Sequence, residues 1–341
     1  MSSPANARTP LLEISDLHVE LPVEGTHRPV IQEVSLHIRA GEAVGLVGES
    51  GSGKSMTARA IARLLPEGAE VRGRIAFDGR PVLEMGSSEL RRYRAEGIAM
   101  IFQDPRAHTN PVRRIGDFLT ESLRTIRRVP EDEARERAIA TLAEVGIDDG
   151  ERRLHQYPHE LSGGMLQRVM IAAALLAGPR LILADEPTTA LDVTTQSEVM
   201  AILDELRRER DLAMLFISHD LNLAGAVCDR TCVMYAGTIV EERQSGELNS
   251  DPYHPYTAAL LDARPRLDTG ERLAAIAGRP RSAYEVDGGC SFGDRCPFCQ
   301  DRCVAEDQQM RRFGTGLVRC RRAEALRGIL RERRAGAGTG A

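Results

Sequence analysis

The chain has 341 residues, 42% of them hydrophobic and 28% charged, with a formal net charge of -5 and seven cysteines. That length holds one large domain and a smaller one with an ordinary core, and the lack of a basic excess argues against nucleic acid as a partner. The start, MSSPANARTP, lacks the order of a signal peptide, and the longest apolar-rich stretch, 169–178, is about half a membrane span, so a cytoplasmic protein that meets a membrane only through a partner is expected.

From Leu11 to about Val240, apolar runs of strand length alternate with segments of helical period, which predicts an α/β fold with a largely parallel sheet. EAVGLV (42–47) reads as a buried strand and KSMTARAIARLL (54–65) as a helix. Between them Gly48, Gly53, Lys54 and Ser55 fill the pattern G-x-x-x-x-G-K-[ST], with Glu49, Ser50, Gly51 and Ser52 inside it and Met56 just beyond. Such glycines let backbone N–H groups turn inward on phosphates at a helix N-terminus, where the dipole also favours an anion. Lys54 is placed to reach the β- and γ-phosphates, and Ser55 to give a hydroxyl to Mg²⁺. Lys54 is also the only lysine among 45 basic residues. A compact ammonium on a flexible stem fits between two phosphates where the planar fork of arginine does not.

Between Asp104 and Leu161 the rhythm becomes helical. Pro130 precedes EDEARERAIATLAEVG, with acids in the first turn, Ala138, Ile139, Leu142 and Val145 on one face and Gly146 at the stop. An inserted helical subdomain over about 105–175 is predicted. RLILADEP (180–187) reads as a strand ending in two acids: Asp185 is placed to hold Mg²⁺ through water, and Glu186 to accept a proton from the attacking water. Cys228 and Cys232 read as core residues. Beyond about Asp251 the pattern loosens, which divides the chain into 1–250, an extension over 251–330 and a disordered tail over 331–341. Five cysteines fall between 290 and 320, a density that in a reducing compartment reads as metal or redox chemistry before disulfides.

Further motifs carry a family resemblance. LSGGMLQ (161–167) resembles the signature motif of ATP-binding-cassette (ABC) ATPases, FQD (102–104) the Q-loop, ALD (190–192) the D-loop and SHD (218–220) the switch histidine, in the family's order over residues 11 to about 245. The resemblance implies an ABC-type nucleotide-binding domain: a RecA-like P-loop core with an antiparallel β subdomain and an inserted helical subdomain, acting on ATP with Mg²⁺. Ser162, Gly163 and Gly164 precede an apolar helix and offer a second anion site. The family closes that site, here with Gln167 and Asp192, over the nucleotide of a second, identical or similar, ATPase subunit. Gln103 is then expected to touch Mg²⁺ and the attacking water, and His219 the γ-phosphate. One departure stands out: where the family often stacks adenine on an aromatic residue, Leu21 or Val23 falls, so base stacking is expected to be weaker.

The wording around the motifs narrows the branch. YPHELSGGMLQRVMIAAALL, ADEPTTALDVTTQ and SDPYHPYTAALL closely resemble the ATPases of oligopeptide and dipeptide importers, whose near relatives import nickel. GCSFGDRCPF followed by VRC is similar to that branch's C-terminal cysteine segment, in which Cys290, Cys296, Cys303 and Cys320 match the recurring positions. Four such thiolates suit a [4Fe–4S] cluster or tetrahedral Zn²⁺. The spacing C-x5-C-x6-C-x16-C leaves both open, the resemblance implies iron–sulfur, and Cys299 is a substitute ligand. The whole then implies an ATPase subunit at the cytoplasmic face of a bacterial membrane, beneath two transmembrane permease subunits fed by an extracytoplasmic solute-binding protein. Nickel or another solute is the alternative cargo, and a soluble non-transport ABC ATPase the alternative role.

Overall fold

The computed structural model describes residues 9–188, 191–263 and 275–336. They fold as two compact units, one built from the residues up to Leu11, Ile38–Glu42 and Glu84–Phe216, the other from Leu12–His37, Ala43–Leu83 and the residues from Ile217 on.

In the first unit the strands Ile98–Ile101 and Leu181–Asp185 pair in parallel, from Ile98 opposite Leu181 to Ile101 opposite Ala184. Every residue of Leu181–Asp185 is buried, as in strands covered on both faces, which is why this run is continuously apolar instead of alternating. The predicted helical insertion is present as Ile115–Thr125, Glu131–Glu144, Gly150–Leu154 and Gly163–Leu176. Glu131–Glu144 follows Pro130 with three acids in its first turn, where the helix dipole favours negative charge, and stops before Gly146 at φ 72°. Ala138, Leu142 and Val145 are buried as the periodicity requires; Ile139, at the edge of that face, is half-buried. The helix Val193–Glu209 follows.

The second unit has an antiparallel sheet ordered Thr26–Ile38, Leu12–Val23, Glu70–Phe77, Arg80–Pro81. The phosphate-loop strand Ala43–Val47, all buried, runs parallel to Arg230–Tyr235. That strand pairs antiparallel with Thr238–Gln244. The helix expected over 54–65 is shorter, Lys54–Ile61, because Arg63 turns left-handed at φ 52°.

Past the composition change near 250 the chain stays within the second unit. A hairpin of Arg311–Phe313 and Gly316–Val318 adds to the edge of Thr238–Gln244, with Glu241 opposite Val318, and the helix Pro255–Asp262 belongs to the same unit. The segment expected to be a tail begins as helix. Ala323–Gly336 runs through 331–336 because Leu326 and Leu330, one turn apart, are buried against Ala258; residues 337–341 lie outside the described residues. Cys228 and Cys232 are buried in the core as expected.

Candidate functional site

Residues 48–55 turn directly out of the buried strand Ala43–Val47 into the helix that starts at Lys54. Two glycines explain why this turn takes no other residue. A Cβ on Gly48 would lie 2.1 Å from the Met234 carbonyl oxygen, and Gly53 sits at φ 106°, in the left-handed region, with the Val30 carbonyl 2.9 Å from where its Cβ would be. The turn is fixed from outside by Gly237, whose N–H donates to the Ser52 carbonyl at 2.9 Å. Lys54 is buried, and its Nζ donates to the carbonyls of Gly48 and Glu49 at 2.9 Å each. The ammonium thus lies inside the loop. Ser52, only 3% exposed, holds its hydroxyl with no hydrogen-bond partner, an orphan donor of the kind that a bound anion satisfies. Ser55 and Met56 are half-buried in the first turn, while Ser50 and Gly51 are exposed at the tip.

Two further residues touch this loop that its motif did not reveal. The Glu49 carboxylate pairs with the Arg295 guanidinium at 2.7 and 3.2 Å, and the Glu49 N–H donates to the Tyr256 hydroxyl at 2.9 Å. Both lie more than 200 positions downstream, so no local pattern could signal them. His219, also in this unit, is exposed just after the strand Ala213–Ser218, and Asp220 behind it caps the helix Leu221–Val227 by accepting the Asn222 N–H at 2.7 Å.

In the first unit, strand register brings two predicted residues together. With Ile101 opposite Ala184 in a parallel pair, the residues two steps on, Gln103 and Glu186, leave the sheet side by side. The Gln103 Nε2 donates to Glu186 Oε2 at 3.1 Å. Asp185, the last strand residue, is buried. Glu186 has φ 46°. A non-glycine residue in this left-handed conformation is strained by about 1–2 kcal/mol, the kind of cost that concentrates at functional positions.

Also in the first unit, Ser162, Gly163, Gly164 and Asp192 line one open cavity with Arg168 and Thr195. Ser162 caps the helix Gly163–Leu176, its hydroxyl accepting the Met165 N–H at 3.3 Å. A Cβ on Gly163 would meet nothing within 4 Å, whereas one on Gly164 would lie 2.5 Å from the Thr195 methyl: the first glycine leaves room in front of the helix, and the second lets it approach its neighbour. Asp192 caps Val193–Glu209 by accepting the Thr195 N–H at 3.1 Å. That N–H and the Thr195 hydroxyl hold the carboxyl below its ordinary range. Ala190 of the D-loop motif lies outside the described residues. Gln167 does not join the cavity. It is 1% exposed, and its Nε2 is buried without a partner on the inner side of the helix, because the motif's last residue is one turn beyond the exposed N-terminus.

The cysteines converge in the second unit. Cys290, Cys296, Cys299, Cys303 and Cys320 line one cavity with His254, Phe298 and Leu326, and all are free thiols. Burial, and after it the neighbouring thiols, push Cys290 up to about 12 and Cys296 up to about 11. Among the described residues no group of three or more His, Cys, Asp or Glu is set to hold a metal ion, so the expected convergence is present without ligating geometry.

Comparison with known proteins shows the family. Residues 31–189 match the ABC transporter family, and residues 240–303 match the oligopeptide/dipeptide transporter C-terminal region. The chain is 43% identical to the oligopeptide transport ATP-binding protein OppD of Salmonella typhimurium over 88% of this chain and 89% of that one. It is 42% identical to OppD of Bacillus subtilis over 85% and 82%. Among solved structures it is similar to the ATP-binding cassette MJ0796 in a dimeric post-hydrolysis state bound to ADP and Pi, with a TM-score of 0.62 and 28% identity over 69% of this chain and 98% of that one. It is also similar to cbiO1 from Clostridium perfringens, part of the ABC transporter complex cbiONQ, with a TM-score of 0.60 and 27% identity over 70% and 90%. The chain belongs to the ABC transporter family, as one of its ATPases, in the branch of the oligopeptide transport ATP-binding proteins.

Proposed function

We propose that this chain is the ATP-hydrolysing subunit that powers import of di- and oligopeptides across the bacterial cytoplasmic membrane. The observation that carries the reading is the likeness to oligopeptide transport ATP-binding proteins at 43% identity over nearly the whole chain, continuing through the C-terminal region at 240–303.

Each group in the site has a task in phosphoryl transfer to water. Lys54 exchanges the Gly48 and Glu49 carbonyls for the β- and γ-phosphates, and the loop N–H groups other than that of Glu49, which Tyr256 holds, join the Ser52 hydroxyl on the remaining oxygens. Mg²⁺, when bound, neutralises charge on the β- and γ-oxygens; Ser55, Asp185 and Gln103 are the residues with the oxygen donors for it. Glu186 takes the proton of the attacking water, its carboxylate oriented by the Gln103 amide. His219 contacts the γ-phosphate. Ser162, Gly163, Gly164 and Asp192 receive the nucleotide of a second cassette, identical or similar; Gln167, with its amide turned inside, is left out of that contact.

No helix among the described residues is long and apolar enough to cross a membrane. The likeness to oligopeptide transport ATP-binding proteins supports attachment at the cytoplasmic face through two permease subunits, with a solute-binding protein outside delivering the cargo. Residues 251–330 act as an extension of the ATPase in which the cysteine cavity is the place for a [4Fe–4S] cluster, with Zn²⁺ as the alternative. The donor chemistry fits, since four recurring thiols and Cys299 face one buried space. The thiols must lose their protons and draw together for ligation.

Uptake of labelled di- and oligopeptides, with nickel in parallel, tests the transport role in cells lacking the gene and in cells given it back. Peptide uptake is expected to vanish and return with the gene. Normal peptide uptake with lost nickel uptake would move the chain to the metal-importing relatives, and no change in either would overturn import of both.

A further inference from the structure

We infer that Arg295 and Tyr256, from the C-terminal region, are positioning residues of the ATP site: together they hold Glu49 so that the phosphate loop is open to an anion. The inference rests on residues 48–55 being that loop.

Glu49 is an acid inside a loop built to receive phosphates, and left alone it would repel them. Three of its groups are occupied. The carboxylate faces Arg295 in a two-pronged pair, Oε2 to Nη1 at 2.7 Å and Oε1 to Nη2 at 3.2 Å, the geometry that makes an arginine–carboxylate contact strong and directional. Its N–H donates outward to the Tyr256 hydroxyl, and its carbonyl accepts Lys54 Nζ. The acid is thereby neutralised and turned away, and the lysine is anchored by the same residue.

Arg295 cannot easily give way. It is 4% exposed in side-chain area, its Nε donates to the Ala277 carbonyl at 2.9 Å, and its Nη1 also reaches the Tyr235 hydroxyl at 3.4 Å. Tyr256 is equally fixed. It sits in the first turn of Pro255–Asp262, where His254 Nδ1 accepts its N–H at 3.1 Å, and the buried Glu241 carboxylate accepts the N–H groups of Tyr253 and His254 at 2.8 Å each. Its ring packs on Tyr235 and Phe292 with centroids 4.6 and 5.2 Å apart. Burial raises the Tyr256 hydroxyl well above its ordinary range, so it keeps its proton and accepts the Glu49 N–H with a lone pair.

Binding of MgATP to the purified full-length protein tests this, with Lys54→Ala as the control for the loop itself. Arg295→Met leaves the Glu49 charge uncompensated and is expected to raise the Kd about tenfold, with kcat at saturating ATP within about twofold of wild type. Adding Glu49→Gln to Arg295→Met removes that charge and is expected to bring the Kd back to within about threefold of wild type, which lost packing alone would not do. Tyr256→Phe keeps the ring and loses one hydrogen bond, for an expected rise of about threefold. The inference is overturned if Arg295→Met binds as wild type does while Lys54→Ala is weak, or if the double variant binds no better than Arg295→Met. Should Arg295→Met not fold, an unchanged Kd for Tyr256→Phe overturns it. Wild-type binding by Lys54→Ala would instead remove the phosphate-loop assignment beneath it.

Discussion

Replacing Glu186 with Gln is expected to lower ATP turnover by about 100- to 1,000-fold, the usual range for a positioned general base, which is about 3–4 kcal/mol of transition-state stabilisation. MgATP affinity is expected to stay within about threefold, because the change removes a proton acceptor and leaves the groups assigned to the phosphates in place. The substitution is nearly isosteric, so the left-handed backbone at φ 46° and the contact with Gln103 have the same steric demands in both proteins. Phosphate release measured beside nucleotide binding separates the two effects. Turnover within threefold of wild type would assign the base to another residue.

Lys54→Ala is expected to weaken MgATP binding by about 100-fold, since two hydrogen bonds from a charged donor are lost at about 1.5–3 kcal/mol each, offset in part by the two loop carbonyls that the ammonium now satisfies. The carbonyls of Gly48 and Glu49, which accept Lys54 Nζ, lose their donor as well, so the empty loop is loosened together with the site. Lys54→Arg is expected to fail too, by about tenfold or more, because a planar fork carries its charge in the wrong shape for the gap between β- and γ-phosphates. Calorimetric titration with MgATP checks both variants, and wild-type affinity in Lys54→Arg would show that charge alone suffices.

What could be read from the sequence was local. The strand 42–47, the loop and the helix start at Lys54 follow from an apolar run, two glycines with steric reasons and a helical period, all within about 20 residues. Parallel strands were legible from apolar runs, but register was not, and it is register that sets Gln103 beside Glu186. The motif around Gln167 does not tell its side of the helix: one helical turn separates an exposed N-terminus from a buried face. The change of composition near 250 carries no sign that the chain beyond it returns to the edge of an existing sheet. That return also delivers Tyr256 and Arg295 to Glu49, contacts that neither spacing nor propensity encodes.

The distance along the chain between Glu49 and Arg295 bears on how the protein is made. The two are 246 residues apart, and at roughly 5–20 residues per second of synthesis the second follows the first by about 12–50 s. Throughout that interval the nascent loop carries its carboxylate without the arginine that offsets it. A nascent chain that has not yet reached Arg295 is therefore expected to hold nucleotide about tenfold more weakly than the finished protein, so any help that ATP gives to folding of the N-terminal half grows as the C-terminal region arrives.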